Sequence, residues 1–457
     1  MNIKKIKISS ILLLLSTILA NSNEVKFTPY LSTYFSSNGS IYNSTLSTFS
    51  LLNKLGLKAS KNVGNIDITG DFSFYSTKNV DNNLLSMNPN LSLINSRGYK
   101  NSNDLWFINS DFKISYTTNN FTLYFGKISD SWGYGNSSLL ISNNTPSFPK
   151  FGFTWFLNQK ISLEYFYGSL VSLLPDSSFQ NLYSNNIGER IAYVNRSIAA
   201  HRLTFKLHNN VHFKASESVI FSRKTLDINY LIPFLPYWAL QSYNGDIDNI
   251  QMQGELIFII NKYLNLYSSI YIDEWTPEWT FKKKNRNWFG YQVGLRIKNI
   301  FNIQDQLLME YNWTDHRVYR HLFPINNSYS YDYPLGFWAG PHAEELYFKY
   351  NFSIFSFRLD SYLSLVKRGE LTEEMLENQY NNISQKRFSG KKESRTHLAI
   401  NINKNILNEF VIFSFGVDYV DWINPGFNPA AQESIEKNIS KFSFNLNLHF
   451  ITDIIFH

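Results

Sequence analysis

Apolar and polar residues alternate along most of the chain, which is the pattern of β-strands with one apolar and one polar face. In the clearest run, Phe442, Phe444, Leu446, Leu448 and Phe450 alternate with Ser443, Asn445, Asn447 and His449. Similar runs lie near 27–35, 49–59, 65–75, 107–116, 120–127, 151–157, 160–168, 201–208, 212–222, 250–261, 263–273, 288–299, 304–314, 343–350, 352–365, 396–404 and 408–420. With 441–450 they predict about eighteen strands, each close to the ~9–11 residues that a tilted transmembrane strand needs.

The connections between these strands alternate in length. Short turns are predicted at Lys61–Gly64, Thr117–Asn120, Leu157–Lys160, His208–Val211, Asn261–Lys262, Ile300–Ile303 and Lys404–Leu407. Long connections are predicted at 76–106, 128–150, 169–200, 224–249, 274–287, 315–342, 366–395 and 421–440. Short periplasmic turns and long external loops are typical of outer-membrane barrels. The sequence therefore predicts an all-β fold, a transmembrane antiparallel β-barrel of about eighteen strands.

The composition is consistent with a barrel wall and excludes two other classes. Aromatic residues make up 17% of the 457 residues, the same share as charged residues, whereas soluble domains contain about 25% charged residues. Abundant aromatic side chains exclude a disordered chain, and the aromatic girdles of a barrel account for their number. Beyond the first 22 residues, no segment approaches the ~18 consecutive apolar residues of a spanning helix, which excludes a polytopic helical membrane protein.

Residues 1–22 have the features of a secretory signal peptide, with Lys4, Lys5 and Lys7 before the apolar run Ile8–Ala20. Cleavage leaves 23–457 as the barrel and lowers the net charge from +6 to +3, because the three lysines are lost. Such a small charge on so long a chain gives no reason to expect a nucleic-acid partner. The expected location is the outer membrane of a diderm bacterium, after signal-peptide cleavage.

The search for catalytic or metal-binding motifs is negative. The chain has no cysteine, which excludes disulfides, thiolate metal sites, a cysteine nucleophile and a lipid-modified cysteine. It also lacks the serine-elbow, zinc-helix and phosphate-loop motifs. His316 and His321 lie beside two arginines, whose charge disfavours a bound cation, and the pairs Asp273–Glu274 and Glu344–Glu345 lie at strand ends, where neighbours point to opposite faces. We therefore expect no enzymatic activity, no metal and no cofactor.

The long loops combine aromatic and basic residues, which suits carbohydrate. An aromatic ring packs on the apolar face of a pyranose and a cation pairs with a uronate or another acidic group, each contact contributing on the order of 1 kcal/mol. The candidate polysaccharide-binding residues are Trp238, Trp275, Trp279, Lys283, Arg286, Arg317, Tyr319, Arg320 and Trp338. The alternatives are that these rings belong to the interface girdle or pack the loops together, and that Lys282–Lys284 pair with lipopolysaccharide phosphates.

The loop after the fifth predicted strand carries a distinctive motif of glycine, proline and asparagine. Two glycines permit a tight turn with positive φ, two prolines stiffen the return of the chain, and a tryptophan anchors the loop. The residues of this predicted structural motif are Trp132, Gly133, Gly135, Asn144, Pro146 and Pro149. We expect the loops at 128–150 and 315–342 to be those that fold into the lumen.

Two stretches match the motifs of a known family. In the first, Phe125-Gly126-Lys127 is followed by Trp132-Gly133-Tyr134-Gly135 and by the run from Ser138 to Pro149, with Thr145 at a position where the family more often has alanine. The second stretch comprises, in order, His321–Asn326, Pro334–Gly336, Gly340–Pro341 and Glu344–Leu346. Between the two stretches, Tyr271–Glu274 matches the acidic pair that ends a strand in the family. In these features the chain resembles the Wzi family of capsule-assembly proteins, from about residue 120 to 350.

The resemblance implies an eighteen-stranded outer-membrane lectin that holds capsular or extracellular polysaccharide at the cell surface. Its partners would be the outer membrane with its lipopolysaccharide, the polysaccharide itself, and the barrel-assembly machinery. That machinery recognises an aromatic final strand, and this chain ends Ile455-Phe456-His457. The alternative function is a porin or an oligosaccharide channel, because large barrels can enclose an aqueous lumen.

Overall fold

Eighteen antiparallel strands form a closed barrel in the computed structural model, which describes residues 24–37, 49–80, 106–185, 188–222, 226–280, 282, 287–378, 386–388, 390–407, 410–425 and 438–456. The strands are β1 (Val25–Ser36), β2 (Ser50–Val63), β3 (Ile66–Lys78), β4 (Trp106–Thr117), β5 (Phe121–Ile128), β6 (Phe148–Phe156), β7 (Ile161–Pro175), β8 (Tyr193–His208), β9 (Val211–Phe221), β10 (Asn249–Ile259), β11 (Leu264–Glu274), β12 (Trp288–Lys298), β13 (Gln306–Thr314), β14 (Ala343–Ile354), β15 (Phe357–Gly369), β16 (Lys392–Ile406), β17 (Val411–Ile423) and β18 (Ile439–Ile451). The predicted fold class and strand number are confirmed. The predicted signal peptide, 1–22, lies outside the described residues.

The barrel closes between its first and last strands. Each strand pairs with the next along the chain, and β1 pairs with β18 as well as with β2. After a break at residues 452–453, the segment Ile454–Phe456 continues this pairing along the start of β1. Lys26 and Thr28 of β1 both contact the Asp453 carboxylate, at 2.7 and 2.6 Å. The two ends of the described chain are therefore joined side by side.

The connections alternate in length around the barrel, as the sequence predicts. Those after odd-numbered strands are long; the shortest, 37–49 and 275–287, are nearly twice the length of the longest turn after an even-numbered strand, 299–305. The described parts of the long connections contain helices α1 (Tyr237–Tyr243) and α2 (Glu373–Glu377) and four 3₁₀ turns at Gln180–Tyr183, Asn229–Leu231, Pro277–Trp279 and Pro324–Asn326. They also contain two short antiparallel pairings, of 184–185 with 188–189 and of 329–330 with 333–334. Among the described residues, no helix is long and apolar enough to cross a membrane.

Strands β7 and β8 extend further than the sequence predicts. The predicted strands were 160–168 and 201–208, whereas the pairing continues to Pro175 and Tyr193. The cause is a tertiary contact, because the extension is held by the loop between β13 and β14. The Tyr331 backbone N–H donates to the carbonyl of Val171, and the Arg196 guanidinium donates to that same carbonyl. The hairpin therefore projects beyond its neighbours at the long-loop end.

The barrel wall is polar inside and apolar outside. In β18, Lys441, Ser443 and Asn445 are buried, whereas Phe442 and Phe444 are about half exposed. The register carries the same division to the neighbouring strand; for example, Ser443 lies beside Asp418 and Phe442 beside Tyr419. Exposed apolar side chains on every second residue are the surface that a barrel presents to lipid.

Candidate functional site

The loop between β5 and β6, which we call inner loop 1 (129–147), packs against the inner face of the wall. Its backbone is bound by inward-facing charged side chains from distant strands. Glu255 accepts the Tyr134 N–H at 2.8 Å, and Glu310 accepts the N–H groups of Asn136 and Ser137 at 2.8 and 3.1 Å. Because the partners come from β10 and β13, this loop lies against the wall well away from its own strands.

Two wall arginines bind the same loop through its carbonyls. Arg202 donates to the carbonyl of Trp132 at 3.0 Å, and Arg296 donates to that of Tyr134 at 3.0 Å. Each guanidinium also lies over the ring of the residue whose carbonyl it binds, 4.8 and 4.9 Å from the centroid. Charge-assisted hydrogen bonds of this kind are stronger than neutral ones, so inner loop 1 is held at both its donors and its acceptors.

The predicted structural motif lies in and next to this loop, but its glycines act differently from the prediction. Neither Gly133 nor Gly135 has a positive φ. A Cβ at Gly133 would lie 2.3 Å from the Ser137 carbonyl oxygen, and one at Gly135 would lie 1.8 Å from Glu310. The prediction of a positive-φ turn is therefore wrong, and close approach of the backbone to its neighbours is the reason that glycine is required.

The other members of the motif differ in burial. Trp132 is buried, with its ring packed edge-on against Phe166 at 5.3 Å. Pro146 is also buried and Asn144 is half-buried, whereas Pro149 is exposed and lies within β6. Of the two prolines, only Pro146 lies in the returning part of the loop.

The loop between β13 and β14, which we call inner loop 2 (315–342), is bound to the inner wall by Arg196. This buried guanidinium donates to the carbonyls of Ile325 and Asn327 at 3.0 and 2.9 Å, and to that of Tyr329. From β11, the Asp273 carboxylate accepts the Tyr319 N–H at 2.5 Å. Sequence analysis did not single out Arg196, because this residue fell in the predicted connection 169–200 and not in a predicted strand.

The two inner loops also pack against each other. The Ser142 N–H donates to the carbonyl of Leu335 at 2.7 Å, and its hydroxyl donates to that of Gly336 at 2.6 Å. The Tyr319 hydroxyl donates to the carbonyl of Leu139 at 2.6 Å and accepts the Phe337 N–H at 3.0 Å. The buried apolar side chains of both loops and of the inner wall form one cluster, which includes Leu139, Leu140, Ile141, Val318, Leu335 and Phe337.

Two of the predicted polysaccharide-binding residues have structural contacts in inner loop 2. Tyr319 is fully buried, and burial raises the pKa of its hydroxyl. Arg317 is buried, binds both oxygens of the Asp315 carboxylate at 2.8 and 3.1 Å, and donates to the carbonyl of Asn287. Burial opposes the charge of Asp315, but Arg317 outweighs it, so the pKa of Asp315 is lowered. Both residues therefore fix the loop rather than face solvent.

The remaining candidates that the structure describes lie at the external end after β11, in inner loop 2 and on α1. Trp275 follows β11 at the external end and is 52% exposed, with its indole N–H donated to Thr280 at 3.2 Å. Arg320 is half-buried in inner loop 2. Trp338 donates its indole N–H to Glu345 at 3.0 Å and lies beside the inner apolar cluster. Trp238 is 60% exposed on α1, and Lys283, Arg286 and the side chain of Trp279 lie outside the described residues.

Sequence analysis missed a group of exposed rings on the projecting β7–β8 hairpin. Phe179, Tyr183 and Tyr193 are each between two fifths and just over half exposed, and Arg190 lies among them. The Gln180 side chain donates to the Arg190 carbonyl at 2.9 Å, which helps to order this tip. These rings and Trp275 are accessible to a large ligand outside the cell.

A histidine at the end of inner loop 2 holds a further external segment. The His342 imidazole accepts the Phe388 N–H at 2.9 Å through Nε2, and Nδ1 lies 3.0 Å from the carbonyl oxygen of Glu370. The ring also stacks on Phe388 at 5.3 Å. Burial lowers the pKa of His342 to about 4, so the ring is neutral at physiological pH.

The charged groups do not form a metal site in the part of the chain that is described. No group of three or more His, Cys, Asp or Glu side chains there could hold a metal ion. The adjacent carboxylates at the ends of β11 and β14 separate as expected for a strand, with Asp273 and Glu345 buried and Glu274 and Glu344 more exposed. The buried carboxylates instead accept hydrogen bonds from loops and neighbouring side chains.

A closed eighteen-stranded barrel with an apolar outer face is an integral outer-membrane protein. Comparison with solved structures finds Wzi of Escherichia coli, an outer-membrane protein involved in group 1 capsule assembly and a carbohydrate-binding β-barrel, at 13% identity and a TM-score of 0.56. The alignment covers 97% of this chain and 88% of that one, and it supports the shared fold.

The model of the family described as capsule assembly protein Wzi matches residues 100–425. The chain therefore belongs to the Wzi capsule-assembly family.

Two further solved barrels, OccAB2 of Acinetobacter baumannii and OprD of Pseudomonas aeruginosa, align at 9% identity over 94% of this chain. The alignments cover 98% and 94% of those chains, and the TM-scores of 0.48 and 0.47 are too low to support an inference. Comparison with curated protein sequences finds no match.

Proposed function

We propose that this protein is a non-enzymatic surface lectin that binds capsular or extracellular polysaccharide and retains it on the cell. The observation that carries the proposal is that two long loops pack against the inner wall and against each other through the Ser142–Leu335 and Tyr319–Leu139 hydrogen bonds. A lumen occupied in this way favours binding at the external surface over passage of solutes. Membership of a capsule-assembly family gives the class of ligand.

The chemistry of the external end suits an acidic polymer. Trp275 and the rings of the β7–β8 hairpin offer exposed aromatic faces, and Arg190 and Arg320 supply positive charge. The sequence adds Trp279, Lys283 and Arg286 to the same β11–β12 loop. Several weak contacts along a repeating polymer act together, so the avidity exceeds that of any single contact. In the same proposal, lipopolysaccharide phosphates are the alternative partners of Lys282–Lys284, and the final strand is recognised by the barrel-assembly machinery.

Deletion of the gene tests retention. The polymer should appear in the medium while the total amount made by the culture stays the same, because synthesis does not require the lectin. Measurement of cell-bound and released polysaccharide by a uronic-acid assay separates the two quantities. A fall in total polymer would instead assign the protein to synthesis or export and would remove the retention model.

A single substitution tests the binding surface. Trp275→Ala should weaken binding of the purified protein to the acidic polysaccharide about fivefold, which corresponds to about 1 kcal/mol. Trp106→Ala is the matched control, because this tryptophan is 46% exposed on the outward, lipid-facing side of β4. Biolayer interferometry with immobilised polymer gives both affinities. Equal losses for the two variants would count against a sugar site at Trp275.

A further inference from the structure

The loop between β9 and β10 packs on the opposite face of the wall from the two inner loops. We call its described part, residues 226–248, the outer flap. Tyr230 and Tyr237 of the flap are fully buried against Tyr165, Ala199 and Val219. The neighbours of these three wall residues, such as Phe166 and Ala200, belong to the inner apolar cluster instead. Because alternate side chains on a strand point to opposite faces, the flap lies on the outside of the barrel.

A carboxylate on the outer wall holds the flap in place. Glu217 of β9 accepts the backbone N–H groups of Tyr237 and Trp238, at 2.8 and 2.9 Å. Its third partner is His201 of β8, whose Nε2 lies 3.1 Å away, and the His201 ring packs on Tyr237 at 4.4 Å. An uncovered carboxylate on the lipid-facing wall is unfavourable. The flap therefore shields a polar pair on a surface that is otherwise apolar.

The flap also reaches far along the wall. It starts from the external ends of β9 and β10, where Tyr230 packs on Phe221 at 4.7 Å. At its other extreme, the Phe234 ring lies 6.3 Å from the ring of Trp155, which is next to the last residue of β6 at the short-turn end. Strands of this kind cross the hydrocarbon region, so a segment that runs beside them is at the depth of the lipid chains.

The surface that the flap turns away from the wall is apolar. Ile228, Phe234 and Trp238 are each at least 60% exposed, and Ile232 and Leu235 are 41% exposed. From Ile228 to Gly245 the sequence contains no charged residue, and aspartates stand at 227 and 246. A patch of this kind is unfavourable in water, and it is continuous with the apolar outer belt of the barrel.

We propose that the outer flap is a lipid-binding element that lies in the outer membrane against the barrel and is covered by acyl chains. Several of its backbone N–H groups donate to carbonyls within the flap, which favours a segment at membrane depth; they include those of Leu231, Leu235 and Ala239. The Tyr165 hydroxyl donates to the carbonyl of Tyr230 at 3.0 Å, and the Tyr230 hydroxyl donates to Asp248 at 2.7 Å. The proposal assigns Trp238 to lipid rather than to polysaccharide, and it is independent of the lectin function.

Spin labels test the proposal, because the chain has no cysteine and each label can be placed at one introduced residue. Phe234→Cys probes the flap. Phe444→Cys, 50% exposed on the lipid-facing side of β18, gives the lipid reference, and Tyr183→Cys, 52% exposed at the tip of the β7–β8 hairpin, gives the aqueous reference. The full barrel is reconstituted in phosphatidylcholine vesicles, and collision of each label with oxygen and with a water-soluble nickel chelate is measured by power saturation.

The expected result is a ratio of oxygen to nickel collisions at residue 234 close to that at 444 and several-fold above that at 183. A ratio nearer the value at 183 would overturn the proposal, because the flap would then be in water. Heat-modifiable migration in electrophoresis confirms that each variant forms a barrel. If Phe234→Cys does not fold, Trp238→Cys is measured against the same two references, and the same criterion applies.

Discussion

Inner loop 2 and the outer flap leave the same end of the barrel and pack on opposite faces of its wall. Each is held by a wall carboxylate that accepts backbone N–H groups, Asp273 inside and Glu217 outside. Their sequences differ sharply. Inner loop 2 carries Asp315, His316, Arg317 and Arg320, whereas the flap has no charge between Ile228 and Gly245.

The difference shows which loop composition can pack on each face of the wall. Inside, the polar wall provides opposite charges and hydrogen-bond partners, such as Arg196 for the carbonyls of inner loop 2. Outside, Glu217 pairs with His201 of the wall and accepts backbone N–H groups of the flap. The same anchoring device therefore works on both faces, but the composition of the loop must match the solvent on the far side of it.

Among the changes that test the contrast between the inner and outer loops, removal of inner loop 1 should have the largest effect. Replacement of residues 131–146 by a short Gly-Ser linker should give steady conductance in planar bilayers, because the loop and its buried apolar cluster no longer obstruct the lumen. The unmodified barrel should be silent. Shortening the β7–β8 connection by the same number of residues is the control and should leave the barrel silent. Steady conductance through the unmodified protein would instead support the porin alternative.

Substitution of Glu310 and of Glu217 tests whether inner loop 1 and the outer flap are anchored independently. Glu310→Ala removes the acceptor of the Asn136 and Ser137 N–H groups and of the Tyr267 hydroxyl. The free energy of local opening of inner loop 1 should fall by about 3 kcal/mol, which corresponds to roughly hundredfold faster amide exchange in this loop. Hydrogen-exchange mass spectrometry measures it. Glu217→Ala should accelerate exchange at Tyr237 and Trp238 and leave inner loop 1 unchanged; acceleration of both regions by both variants would show that they are coupled.

The contact between the inner loops should be sensitive to a single methyl group. A Cβ at Gly336 would lie 2.0 Å from the Leu139 carbonyl oxygen, so Gly336→Ala must push the two loops apart. We expect a loss of about 2 kcal/mol, seen as a lower temperature for loss of the near-ultraviolet circular dichroism signal. Gly188→Ala is the matched control, since nothing lies within 4 Å of its added Cβ. A similar loss in the control would point to a general effect of alanine.

The smallest expected effect is a pH dependence at His342. The pKa of this buried imidazole is about 4, below the ordinary value of about 6.5. When the segment 386–388 is detached from His342, the imidazole recovers its ordinary pKa and binds more protons between about pH 4 and about pH 6.5. The contribution of His342 to the attachment of this segment is therefore complete above pH ~6.5 and is lost as the pH falls towards about 4. A spin label at Lys386→Cys should become more mobile over this range. His342→Gln does not titrate, and its profile should be flat; an identical rise in that variant would contradict the assignment.

The wall could be predicted from the sequence because alternation is the direct chemical requirement of a barrel between lipid and water. Each strand needs only its own residues to show which face is apolar, as Phe442 and Ser443 illustrate. Loop length needs no tertiary knowledge either. The extension of β7 and β8 could not be predicted in this way, because it depends on Arg196 and Val171 meeting a loop that is distant in the sequence.

The course of each loop was harder to predict than its length. Gly133 and Gly135 were predicted to have positive φ, but their role depends on atoms of Ser137 and Glu310 that only the folded loop brings near. The composition of the β9–β10 loop was apparent, yet its position outside the barrel depends on Glu217 and His201. Polar residues at outward-facing positions of two neighbouring predicted strands, His201 and Glu217, were the signal for a covered wall.

The seam between β1 and β18 determines the order in which the barrel is completed. Thr28 binds Asp453 across a separation of 425 residues, and among the described residues β18 pairs with β17 and β1. Until the end of the chain has been delivered, the outer edge of β1 has no partner, and exposed strand edges are prone to wrong pairing. Contacts between such distant residues also form slowly. Correct closure is therefore the final step of folding, and a chain that ended before Ile439 would keep two open edges rather than form a smaller barrel.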